Sequence, residues 1–198
     1  EYKDRFVGLL EWHKEQDKFK HGTYGEGSNG DFRGCAVGCG IHSLLRLQGK
    51  RTKGVNYGDH GRLAKELSIP VELFHLQDAL FEALPADRAM AWPLEFSEAI
   101  PCGADLSMVH IHFMYWLLAD KDAGVIRFAG KFDAIRDAIQ QVTALLMRRL
   151  SGLPVSIDDW SAAESAARSA AWSAAESAAW SAARSAAESA AWSAAWSA

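Results

Sequence analysis

Residues 160–198 read W-SAAE-SAAR-SAAW-SAAE-SAAW-SAAR-SAAE-SAAW-SAAW-SA. Alanine is the best helix former and neither Gly nor Pro interrupts the run, so the stretch predicts one continuous α-helix about 58 Å long. Just ahead of it, Ser156 and Asp159 fit a capping box, in which hydroxyl and carboxylate each satisfy a free backbone N–H. Asp158 and Asp159 suit the positive end of the helix dipole, and Glu164 precedes Arg168 in the favourable i,i+4 order. At about 100° per residue, Trp172, Trp180, Trp192 and Trp196 lie roughly 120°, 200°, 320° and 0° from Trp160, so the five indoles surround a straight helix. In a frame that follows the four-residue repeat they form one column, which circles the helix in about 54 Å. A repeat longer than the helical period winds a right-handed supercoil. Ala163, Ala167 and Ala175 stand in the columns beside the indoles and allow close approach of backbones. The tail is therefore expected to join copies of the chain as a right-handed coiled coil. Two other readings are a solvated spacer helix and a tail that folds back on its own domain.

Upstream, residues 151–159 read as a linker and helix cap, and residues 1–150 as an all-α globular domain of roughly six helices. Helical spacing is clearest at Phe132, Ile135, Ile139, Val142 and Leu146. It recurs at Leu106, Val109, Phe113, Trp116 and Leu117, at Leu73, Leu76, Leu80 and Leu84, and at Phe6, Leu9, Leu10 and His13 in a helix from about Asp4 to Lys20. Pro70, Pro85 and Pro101 are placed to open helices, whereas Pro93 is expected to end or kink the helix over 86–100. Seven glycines between Gly22 and Gly40 predict a long loop, either functional or merely variable.

The net charge of −4 and the absence of a basic stripe argue against nucleic acid as a partner. No apolar run is long enough for a membrane span. The three cysteines, Cys35, Cys39 and Cys102, do not make a closed disulfide framework, and reduced thiols point to a cytoplasmic setting.

Chemistry concentrates in Gly34–Ser43, GCAVGCGIHS, where glycines lead into a helix predicted from about Cys35 to Leu47. A thiol at a helix N-terminus has a lowered pKa and can act as a nucleophile, so Cys35 with His42 as base is the candidate catalytic pair, with His60, His110 or His112 as other possible bases. Against this stands a simple packing role for both cysteines. Cys35, Cys39 and His42, completed by Cys102 or His60, do not follow a standard zinc spacing, and no metal is expected. Gly25–Gly30 matches G-x-G-x-x-G without a preceding strand, and no Walker lysine is present, so no cofactor is expected either. The leading expectation is an interaction or structural protein that self-associates through its tail; the alternative is a cytoplasmic enzyme dependent on Cys35 and a histidine.

The stretches Gly34–Cys39 (GCAVGC), Ile69–Pro85 (IPVELFHLQDALFEALP), Ala99–Ser107 (AIPCGADLS) and Phe113–Leu118 (FMYWLL), followed by the SAAx tail, resemble a family of uncharacterised bacterial and phage proteins. The resemblance covers most of the chain and implies that domain and tail belong together. It implies no catalytic residues. Similar Ala-rich tetrapeptide tails occur in proteins labelled as immunity proteins.

Overall fold

Phe6, Leu10 and His13 recur at i, i+4 and i+7 and form the inner face of the first helix, α1 (Tyr2–Glu15). Asp17, at φ +51°, turns the chain out of it, short of the expected Lys20. The computed structural model describes residues 1–27, 31–130 and 132–196, with tail side chains as far as Ser177 and at Arg184. After α1 come α2 (Ala36–Leu47), α3 (His60–Leu67), α4 (Val71–Ala83), α5 (Ala86–Ala99), α6 (Val109–Ala119), α7 (Asp133–Leu150) and α8 (Ile157–Trp196). A 3-10 turn, Val125–Phe128, lies between α6 and α7. No strand forms among the described residues, which have only two isolated bridges, Phe19–Gly34 and Glu26–Arg33. The all-α expectation holds.

The chain divides into two compact units, residues 1–107 and 108–198. The change of composition near residue 150 suggests a boundary there; the chain instead divides between Ser107 and Met108. The reason is that α7 needs a partner for its apolar stripe, and α8 packs on it. In this second unit Ala138, Ile139, Leu145 and Leu146 of α7 are buried, as are Ala163 and Ala170 of α8. The junction is fixed by the expected capping box: Asp159 N donates to Ser156 Oγ at 3.0 Å, and Ser156 N donates to Asp159 Oδ2 at 3.0 Å. Arg148 pairs with the same carboxylate at 3.4 Å.

The first unit packs α1–α5 around Phe6, Leu10, Val37, Ile41, Leu44, Leu45, Leu63, Phe74 and Phe81. Helix α2 is its centre: Ala36 through Leu45 are all buried. In α4 the face that turns inward is not the leucine row. Phe74, Gln77 and Phe81 are buried with Leu73, while Leu76, Leu80 and Leu84 are half-buried. Helix α5 runs through Pro93, which is buried, so of the expected end or kink the helix does not end there. Packing outweighs the missing amide: Ala89 is fully enclosed and Trp92 Nε1 donates to Gln77 O at 3.0 Å, docking α5 on α4. Pro70 and Pro85 immediately precede α4 and α5, but Pro101 opens no helix, because Gly103 at φ +75° and a side-chain turn of Asp105 onto Ser107 N hold that segment as a loop.

Candidate functional site

The described part of the glycine-rich segment straps across the start of α2. Lys20 N donates to Gly34 O, Gly34 N to Lys18 O and Cys35 N to Thr23 O, at 2.8, 3.0 and 2.7 Å. Backbone approaches backbone so closely that a Cβ on Gly38 would lie 1.5 Å from Tyr24 O. Glycine there is a condition of the contact, which gives this part of the loop a structural reason. Ser28, Asn29 and Gly30, the second half of the G-x-G-x-x-G match, lie outside the described residues.

Cys35 sits where expected, as the N-cap of α2, with Gly38 N donating to its sulfur at 3.5 Å. Its acidity is the reverse of the expectation. The side chain is 1% exposed, and burial, with Asp78 beside it, pushes the thiol up to about 12 against a partial offset from the Gly38 amide. It is a protonated, enclosed thiol at neutral pH. Cys39 is enclosed too, faces Gly34 O at 3.4 Å, and is pushed above its usual range chiefly by burial.

His42 is not a base for Cys35. It turns to α1, where its Nδ1 lies 3.1 Å from His13 Nε2. Phe32 stacks on it at 4.4 Å. His13 is fully buried and its Nδ1 has no partner. The tautomer that leaves no enclosed N–H without an acceptor puts the shared proton on His13 Nε2, donated to His42 Nδ1. Both rings are neutral. Burial first, then the neighbouring His42, Arg46 and Lys18, pulls His13 down to about 3; burial and then Arg46 pull His42 down to about 4. No hydrogen bond joins Cys35 to a histidine among the described residues.

A second polar group surrounds Asp78, on α4. His60, the first residue of α3, directs Nε2 to Asp78 Oδ2 at 3.2 Å and Nδ1 to Gly58 O at 3.0 Å. His75 stacks on the other side of that ring at 4.2 Å. One turn along α4, Glu82 Oε2 accepts Gly22 N at 2.8 Å. Asp78 and Glu82 escape notice in the sequence because they fall between the leucines of an apparently amphipathic helix. Residues 74, 77, 78, 81 and 82 share one face, however, and the buried Phe74, Gln77 and Phe81 bring the two carboxylates to Cys35.

The first unit also holds an apolar cavity of about 350 Å3, lined by Phe6, Leu10, Leu63, Leu67, Phe74 and Phe96 among others, with Lys3 and Glu66 in its wall. In the tail, Trp160 is half-buried and Trp172 is 72% exposed. Ala163, expected between chains, is 4% exposed and buried within its own unit; Ala167 is half-buried and Ala175 exposed. The side chains of Trp180, Trp192 and Trp196 lie outside the described residues. Among the described residues, no helix is long and apolar enough to cross a membrane. No protein-family model, curated protein or solved structure matches this chain.

Proposed function

We propose that the protein is an interaction or structural protein that self-associates through its Ala-rich tail, as a right-handed coiled coil. The observation that carries this is Trp172, 72% exposed on a helix whose neighbouring side chains are Ser and Ala. A large indole left in water is surface awaiting cover, and covering it removes roughly 150–250 Å2 from solvent. The α7 contact takes the Ala163 and Ala170 face, so the intermolecular surface starts at Trp172 and continues along the repeat. Such a helix suits partners whose backbones come close, which means other copies of the same tail. Three free thiols suit a cytoplasmic protein.

Light scattering on the full chain tests it. The expected mass is a multiple of the 21.7 kDa protomer. Replacing Trp172, Trp180, Trp192 and Trp196 by Ser is expected to return it to the protomer mass. A full chain that already runs as a monomer at high micromolar concentration overturns the proposal.

A further inference from the structure

One ligand atom from each of Cys35, Asp78 and Glu82 lies within 4.8 Å of the other two. These residues come from two elements, and their burial is graded: Cys35 is enclosed, Asp78 partly so, and Glu82 faces solvent. Each carboxylate is engaged through one oxygen. His60 Nε2 engages Asp78 Oδ2, and Gly22 N engages Glu82 Oε2. Asp78 Oδ1 is enclosed in protein without a well-formed hydrogen bond of its own, with the Cys35 thiol and the Tyr24 hydroxyl beside the carboxylate. An unpaired carboxylate oxygen away from water is costly and calls for a cation or a donor.

We propose that Cys35 Sγ, Asp78 and Glu82 form a binding site for a divalent cation of the zinc class, with a further coordination position open on the Glu82 side. A thiol among the donors selects a borderline-soft ion over calcium or magnesium. Three protein ligands with one open position is the arrangement zinc adopts where it exchanges ligands. Tetrahedral zinc places sulfur and oxygen donors about 3.6 Å apart, and the three donor atoms here lie within 4.8 Å of one another. His60 is the positioning residue: in the tautomer with the proton on Nε2 it donates to Asp78 Oδ2 and orients that carboxylate, as hydrogen bonds to ligating carboxylates do at metal sites. The binding step balances simply. The Cys35 S–H bond breaks, the sulfur lone pair binds the cation, and one proton leaves to solvent.

The test titrates the metal-free full chain with Co2+ as a spectroscopic substitute for Zn2+. The expected result is one equivalent bound, a thiolate-to-cobalt charge-transfer band in the near ultraviolet, release of one proton, and loss of the band on adding Zn2+. Cys102→Ser is expected to leave the band intact and Cys35→Ser to abolish it. Should the Cys35 variant fail to fold, Glu82→Gln decides: the side chain is exposed, the amide oxygen can still accept Gly22 N, and affinity is expected to fall about tenfold or more. A titration without the thiolate band, a band that vanishes in Cys102→Ser, or unchanged affinity in Glu82→Gln overturns the proposal.

Discussion

His13 and His42 make the stability of the first unit sensitive to acid. Each has its pKa near 6.5 in the unfolded chain and lower in the folded one, at about 3 and about 4. Between those values the unfolded chain binds the extra protons. Stability is therefore complete above pH 6.5 and declines below it, by roughly 1.4 kcal/mol per pH unit for each histidine. Urea unfolding at pH 7, 6 and 5 checks this; equal midpoints at pH 7 and pH 5 would refute the buried neutral pair. A second residue-scale test contrasts two glycines. Gly38→Ala forces a methyl onto Tyr24 O and is expected to cost roughly 3 kcal/mol, or to prevent folding, whereas Gly8→Ala on α1 meets nothing within 4 Å and is expected to gain up to about 1 kcal/mol. Thermal melts of the two variants should move in opposite directions.

Among the elements, α2 and α7 were legible because their patterns and their neighbours agree. GCAVGCGIHSLL becomes a helix with Cys35 at its cap, and of the predicted α7 stripe Ile139 and Leu146 are buried while Phe132, Ile135 and Val142 are half-buried. Helix α4 misleads because its leucine row and its Phe74–Gln77–Phe81 row are both helical in period, and only the surrounding helices decide between them. The Asp78 cluster was illegible for the same reason: it depends on which row wins. Pro93 misleads because local cost is a weaker determinant than the packing of Ala89 and Trp92. The α8 start was legible down to its cap, and the cap offers a clean measurement. Ser156→Ala removes the acceptor of Asp159 N and is expected to cost about 1 kcal/mol, read as an earlier melt of the second unit.

For the molecule as a whole, α8 has two jobs along its length. Its beginning completes the second unit through Ala163 and Ala170, and the proposed self-association belongs to the repeats from Trp172 onward. A cut after Leu150 is accordingly expected to strip α7 of its partner and lower the melting temperature, whereas a cut after Ser177 is expected to leave the melt unchanged. Circular dichroism melts of both shortened chains distinguish this from a detached tail, which predicts no change for either.

Lys3 Nζ donates to Glu98 O at 2.9 Å and to Ile100 O at 2.7 Å. The first turn of the chain thus neutralises the last carbonyls of α5, 95 and 97 residues away. During synthesis α2 can cover part of α1 early, but at about 5–20 residues per second the side of α1 that meets α5 stays open for several seconds. The second unit is built from neighbours in the chain, α6 on α7 and α7 on α8, so each helix meets its partner almost as soon as both have left the ribosome. Of the two, the unit that carries the thiol and the carboxylates is the one a nascent-chain chaperone has reason to hold.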